Sequence, residues 1–275
     1  MPLRRAYSRR FVLQLDPFYE YRFKEEYKEL LRYWTRFSDT PDFAGKKVLD
    51  FGCGLGVQCI EAGKHDAESI TGIDIVESKL EYARTKVGLE FPQIADRFKF
   101  FYTEIDDLQE DGFDLIISKD VFEHVVATQG DQSIERVGQV LEELKKRLLS
   151  GGILYLGWGP LWHSPLGDHR LSKELLPFGD FPIPWGHLFV TESFLIKRVN
   201  KRRGENYTDI YNYGLNKIPY KAFRKVVDDC GMEILSFEVN VTTNPLKPLF
   251  SLLRTLPFME KYCTSTVYCV LRKKD

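Results

Sequence analysis

Two groups of residues in this chain have the types and spacing for chemistry. The first is Val48-Leu49-Asp50-Phe51-Gly52-Cys53-Gly54-Leu55-Gly56, an acid followed by three alternate glycines. Apolar residues end a buried strand, Asp50 closes it, and the glycines turn the backbone into a helix beginning near Val57. A side chain at any of these glycines would keep a cofactor from lying against the main chain. The second group is histidine-rich: Trp162-His163-Ser164-Pro165-Leu166-Gly167-Asp168-His169, then Pro182-Ile183-Pro184-Trp185-Gly186-His187, with His124 upstream. Imidazole titrates near neutrality, so these side chains suit proton removal from a hydroxyl or amine.

The glycine spacing narrows the cofactor. A dinucleotide turn wants G-x-G-x-x-G with a helix N-terminus facing pyrophosphate. Here the third glycine comes two residues after the second, and Asp50 precedes the first by two. A carboxylate repels phosphate and attracts an ammonium group, directly or through water. Asp50 therefore favours a cofactor that carries an amino group and no phosphate at this turn, a description that S-adenosylmethionine fits.

The histidines admit two readings. At least one of His163, His169 and His187 could act as base or substrate ligand, with Asp168 orienting or charge-stabilising a neighbouring imidazole. His169 leads, because a Gly-Asp-His turn would expose it. Equally, all three could hydrogen-bond within a proline-kinked lid. His163, Asp168 and His169 are usable metal ligands, but their spacing matches no familiar zinc pattern and no metal is expected.

Elements that must position these residues follow from patterning. Asp16-Pro17 reads as an N-cap and a first-turn proline, opening an aromatic-rich helix to about Phe37. It is either a helix docked on the domain or a lid over the site. Strands are expected at Lys47–Phe51, Ser69–Asp74, Phe98–Tyr102, Phe113–Ser118 and Ile153–Trp158. They alternate with helices at Val57–Lys64, about Glu77–Leu89 and Ile134–Leu149. From Gly159 to about Lys217 the rhythm breaks into an irregular insertion. A helix at Tyr220–Cys230, strands at Glu233–Thr242 and Ser265–Arg272, and a proline-punctuated apolar helix at about Leu246–Met259 complete the chain. That last helix either caps the core, walls an apolar pocket or rests on a membrane surface. The basic run Lys197-Arg198-Val199-Asn200-Lys201-Arg202-Arg203 reads as a solvated face or as a patch for an anionic partner.

Composition sets limits. The 275 residues are 43% hydrophobic, enough for a full core, and a net charge of −1 argues against a whole-protein nucleic-acid binder. The five cysteines are odd in number with no CxxC pair, as expected of reduced thiols in a cytoplasmic protein. The N-terminal arginines precede an apolar run too short for a signal core, and no stretch is long enough to span a bilayer.

At this point Asp50-Phe51-Gly52-Cys53-Gly54-Leu55-Gly56 resembles the first motif of the class I S-adenosylmethionine-dependent methyltransferases, of the type that acts on small molecules. Four segments agree in order. Gly72-Ile73-Asp74-Ile75 is similar to the family's second element, which implies that Asp74 takes the ribose hydroxyls, with Ile75 beside it. Glu104-Ile105-Asp106-Asp107-Leu108 resembles the adenine segment, which implies that the Glu104 carboxylate accepts from the adenine amino group while the Ile105 amide donates to the ring. Phe113–Ser118 and Val121-Phe122-Glu123-His124-Val125 resemble the strand-four element, whose end faces the methionine moiety and brings in Ser118 and Lys119. His124 there either fixes the turn beneath the cofactor or lines the acceptor pocket. Leu148-Leu149-Ser150-Gly151-Gly152-Ile153-Leu154 resembles the turn into strand five.

The resemblance implies an α/β, Rossmann-like fold: a seven-stranded, mostly parallel sheet with the last strand antiparallel and helices on both faces. The expected organisation is one methyltransferase domain, with a helical lid (1–40), a cofactor core (41–158), a substrate-lid insertion (159–218) and C-terminal helix and strands (219–275). The cofactor-binding set is Asp50, Gly52, Cys53, Gly54, Gly56, Asp74, Ile75, Glu104, Ile105, Ser118 and Lys119; the catalytic candidates are His169, Asp168, His163, His187 and His124. The expected reaction is in-line methyl transfer to an oxygen or nitrogen of a small organic acceptor, assisted by a lid histidine. Two alternatives stand: a protein, peptide or lipid-linked acceptor, or a non-catalytic protein that binds S-adenosylmethionine. No residue pattern sets an oligomeric state.

Overall fold

A computed structural model describes residues 15–127, 132–176, 181–240 and 247–275. Seven strands form one sheet in the order β3-β2-β1-β4-β5-β7-β6. They are β1 (Lys47–Phe51), β2 (Ser69–Asp74), β3 (Phe98–Tyr102), β4 (Phe113–Lys119), β5 (Leu148–Trp158), β6 (Glu233–Val239) and β7 (Val267–Arg272). β1 to β5 pair in parallel, and β7 is antiparallel to both β5 and β6. The chain leaves β1 towards β2 on one side and returns to β4 on the other. The C-terminal ends of β1 and β4 therefore frame the crevice where such sheets take ligands.

Parallel strands covered on both faces read as continuous apolar runs, and Val48 and Leu49 are both fully buried. Val48, Leu115, Ile117 and Tyr155 face one core, shared with α1 (Pro17–Trp34), α2 (Val57–Lys64) and α3 (Glu77–Glu90). Leu49, Ile116, Leu154 and Trp158 face the other, shared with α4 (Ser133–Arg147) and α6 (Tyr220–Asp229). Asp16 caps α1 by accepting from the Phe18 and Tyr19 amides, and Pro17 follows it. Phe23, Leu30, Tyr33 and Trp34 are buried, so the helix is docked on the sheet, with its C-terminal end reaching β4: the Tyr33 hydroxyl donates to the Ser118 carbonyl at 3.5 Å.

β6 ends at Val239, short of the expected Thr242, which lies outside the described residues; otherwise the strands lie close to where patterning places them, with three differences among the elements. β5 begins at Leu148, because Leu148 pairs with Phe113 before a register shift, and α4 accordingly ends at Arg147. The insertion is not wholly irregular: α5 (Glu192–Arg203) runs through it, capped by Thr191 and ended by Gly204 in the left-handed region. The basic run fills the last two turns of that helix, and Lys201, Arg202 and Arg203 lie in the last one, where cations complement the helix dipole; Arg203 pairs with Glu174 at 3.0 Å. The apolar C-terminal helix is two short ones, α7 (Lys247–Leu253) and α8 (Glu260–Cys263), with Leu252 and Phe258 exposed; Leu246 lies outside the described residues. All five cysteines are free and buried. Among the described residues no helix is long and apolar enough to cross a membrane.

Candidate functional site

The glycine turn closes the crevice at the end of β1. The amides of Gly52 and Cys53 both donate to the Ile73 carbonyl at 2.9 Å, tying the turn to β2. Asp74 is fixed beside it: Oδ2 accepts from the Gly54 amide at 2.8 Å and Oδ1 from the Val76 amide at 2.9 Å. Each oxygen keeps a second lone pair for a ligand hydroxyl. Gly52, at φ +73°, has no room for a side chain, because a Cβ there would collide with Val121. Gly54 differs. A Cβ there would meet only Lys79 Cδ, at 4.0 Å, so the space over Gly54 is free for a ligand to approach the backbone.

Asp50 is buried behind the turn, with the Cys59 thiol donating to its Oδ2 at 3.3 Å. Burial pushes its carboxyl up to about 7, partly offset by the thiol. The Cys53 side chain is also buried, so only its backbone is available to a ligand. Ile75 is 65% exposed, an unpartnered apolar surface at the end of β2. Ile105 is buried, whereas the Glu104 carboxylate is taken up by Arg136 at 2.9 Å, together with Asp106. At the end of β4 the Ser118 hydroxyl is buried without a partner. Lys119 binds Asp120 at 2.7 Å and lies over the Tyr33 ring.

These features fit S-adenosylmethionine. The carboxylates of Asp50 and Asp74 suit a molecule with sulfonium and ammonium charges, the Asp74 lone pairs suit a vicinal diol, and the open face of Gly54 suits close approach. Neither of two surface hollows competes. One of about 330 Å³ lies beside β3, lined by Phe101, Tyr102 and Gln109, and one of about 470 Å³ lies near Asp114 and Gly152; both lack the residues above.

The histidines divide into three settings. His187 is buried, its Nε2 bonded to the Trp162 carbonyl at 2.6 Å and its Nδ1 3.8 Å from Asp168. Asp168, also buried, accepts from the Arg170 and Ser172 amides. These two hold the insertion's turns together. His163 stands beside the Tyr262 ring, and burial first, then Lys261, push it down to about 4. His169 meets His124, with ring centroids 5.1 Å apart. Burial first, then His124, push His169 down to about 4, and burial also lowers His124. Both rings are thus neutral at pH 7.

Two residues that the sequence reading did not place in the site support this meeting. Glu123 is buried with neither carboxylate oxygen hydrogen-bonded, and burial pushes its carboxyl well up. The Glu123 and Gly159 amides lie near enough to ease its negative charge, but neither is aligned to donate. Asn216 clamps the same turn: its side-chain amide donates to the Phe122 and Val125 carbonyls, and its backbone amide donates to the Glu123 carbonyl. Glu123 lay inside a quoted motif, beside its histidine. Nothing local marks Asn216.

Comparison with known proteins agrees with this geometry. Residues 42–158 match a family described as methyltransferase domain. A ubiquinone biosynthesis O-methyltransferase from Neisseria meningitidis is 34% identical over 87 residues, 30% of this chain and 35% of that protein. A ribosomal protein L11 methyltransferase from Shewanella sediminis is 39% identical over 75 residues, 26% of this chain and 25% of that one. The chain thus spans about a third of the length of the first relative and a quarter of the second. In fold it is similar to an S-adenosylmethionine-dependent methyltransferase from Mesorhizobium loti (TM-score 0.50, 18% identity, covering 84% of this chain and 93% of that one). It is also similar to the geranyl diphosphate C-methyltransferase from Streptomyces coelicolor A3(2) (TM-score 0.53, 12% identity, covering 91% and 79%). The glycine turn, and the strands built to hold it, lie within the stretch, residues 42–158, that matches the methyltransferase domain, and the sheet has the fold of S-adenosylmethionine-dependent methyltransferases.

Proposed function

We propose that the protein transfers a methyl group from S-adenosylmethionine to an oxygen or nitrogen of a small organic acceptor. Bound S-adenosylmethionine supplies an electrophilic methyl on a positively charged sulfur, and the chain's own residues supply alignment and proton handling. In this reading Gly52, Gly54 and Asp74 hold the donor, with Ile75 under the adenine and Asp50 countering the ammonium charge. The insertion, residues 159–218, covers the acceptor side and brings His169 to the end of β4.

The observation that carries the reading is the pairing of an open glycine turn with neutral imidazoles at the neighbouring strand end. A displacement at sulfur gains most from holding nucleophile and methyl in line. A hydroxyl or protonated amine also gains from losing a proton, and neutral His169, with Nε2 buried and unpartnered, suits that task better than His163 or the structurally engaged His187. Glu104 is a weaker adenine partner than the resemblance implies, since Arg136 already occupies its carboxylate.

Calorimetry with S-adenosylmethionine, followed by release of S-adenosylhomocysteine with a panel of hydroxyl and amine acceptors, tests the proposal. Binding and turnover with a small acceptor are expected. No donor binding at high micromolar concentration would overturn it. Binding without turnover on any acceptor would favour the non-catalytic alternative. A second reading, a lipid-linked acceptor, draws support from the exposed Leu249, Leu252, Leu256 and Phe258; turnover confined to acceptors in detergent micelles or vesicles would select it.

A further inference from the structure

We propose that Glu123, His124 and His169 form a binding site for a divalent transition-metal cation, at the strand end that faces the donor turn. One ligand atom from each of the three lies within 4.8 Å of the others. Metal bonds to imidazole nitrogen and carboxylate oxygen are about 2.0–2.2 Å, which sets tetrahedral ligands about 3.4 Å apart, so pairs of the three ligand atoms must close by up to about 1.4 Å around an ion. The site crosses between elements: Glu123 and His124 come from the turn after β4, and His169 from the insertion.

Three observations on those residues point to a ligand rather than to packing alone. Glu123 is 3% exposed, yet neither of its oxygens has a hydrogen-bond partner. A buried carboxylate left so is costly unless something else takes its lone pairs. The His124 Nδ1 faces the Gly214 carbonyl at 2.7 Å. A carbonyl only accepts, so Nδ1 carries the proton and Nε2 presents a lone pair. A backbone carbonyl behind the ring is the support that metal-binding histidines commonly have. The Nε2 of His169 is likewise buried and unpartnered. Asn216 donates to the Phe122 and Val125 carbonyls that flank Glu123 and His124, so the turn carrying this ligand pair is held before any ion arrives.

Two imidazoles and one carboxylate form a borderline donor set, suited to Zn2+, Fe2+ or Mn2+ rather than to Mg2+. Three protein ligands leave at least one position open, as in catalytic rather than structural sites. Val121, in the same turn, abuts Gly52 of the donor turn, so the cluster and the donor turn are neighbours. Resting on the transferase reading, this makes the acceptor atom an oxygen: a divalent cation beside a hydroxyl makes it markedly more acidic. His169 then assists as a ligand rather than as a free base.

The test uses the full chain without an affinity tag, stripped by chelator and titrated with Co2+ as a spectroscopic probe. One Co2+ per chain is expected, with visible ligand-field bands that Zn2+ abolishes. His169→Ala and Glu123→Gln should each weaken Co2+ at least tenfold, while His65→Ala, remote from the cluster, leaves it unchanged. Circular dichroism and thermal melting check that each variant is folded. If Glu123→Gln does not fold, His169→Ala, in an insertion turn, decides alone. Absence of stoichiometric uptake, or variants that bind as wild type does, would overturn the site. Donor calorimetry on the same metal-free protein separates the two proposals. Donor binding without Co2+ uptake removes the metal and leaves the transferase; Co2+ uptake without donor binding does the reverse.

Discussion

Asp50 carries an electrostatic signature that can be read in solution. Burial raises its carboxyl to about 7 in the folded protein, against about 4 in an unfolded chain. The fold therefore prefers the protonated acid, and this contribution is fully present below about pH 4 and lost as pH rises through about 7. Stability of the donor-free protein should fall over that window and level off above it, and Asp50→Asn should flatten the difference. Denaturant melts of both proteins at pH 5, 6, 7 and 8 measure it; parallel curves would mean that Asp50 is already ionised. A cationic donor reverses the preference. Its affinity should rise with pH and level off above about 7, with proton release on binding that Asp50→Asn abolishes. Asp74 makes a simpler case, since its carboxylate both holds the Gly54 amide and offers the diol its lone pairs. Asp74→Ala should weaken donor binding at least tenfold by calorimetry, and an unchanged Kd would remove its ribose role. Both acids were readable from the sequence because their meaning is local: charge, spacing and a strand end suffice. The meeting of His124 with His169 was not, because it depends on how the insertion folds back over β4.

At the scale of the element, the glycine turn separates two demands that sequence spacing cannot distinguish. Gly52 is required by packing, since a side chain there would strike Val121; Gly54 has room for a Cβ, which meets almost nothing, so beyond its backbone angle it is required by what binds. Both have positive φ, which costs an L-residue about 1–2 kcal/mol. Gly54→Ala should therefore remain folded with a modest loss in Tm and lose donor affinity. Gly52→Ala should lose stability beyond that backbone cost, because β4's following turn must shift. Equal melting losses in the two variants would show that the turn is not divided in this way. The insertion helix α5 shows the opposite limit of legibility. Its cap, Thr191, and its stop, Gly204, are present in the sequence, but the cationic run across its last two turns has the pattern of a charged surface segment. Its apolar positions, Leu195, Ile196 and Val199, are few and meaningful only against partners elsewhere in the insertion.

Those partners give the whole molecule a third core. Trp162, Leu171, Leu195, Ile196, Val199, Ile210 and Leu215 pack together, apart from the two cores that flank the sheet. The insertion is thus a small packed body, joined to the sheet at its two ends by Leu161 and Ile218, which enter the second core, and at polar points such as His124 on the Gly214 carbonyl and Asn216 on the turn after β4. The donor side is anchored differently, within strands whose residues are almost all buried. A defect in the third core should then loosen the acceptor side and spare the donor side. Leu195→Ala removes a fully buried side chain from that core, a change that typically costs about 2–5 kcal/mol. Hydrogen exchange should quicken across residues 191–217 and stay slow in β1, β2 and β4, while donor affinity holds within about twofold and turnover falls. Uniformly faster exchange, or donor affinity lost in step with turnover, would mean that the insertion and the donor site open and close as one unit.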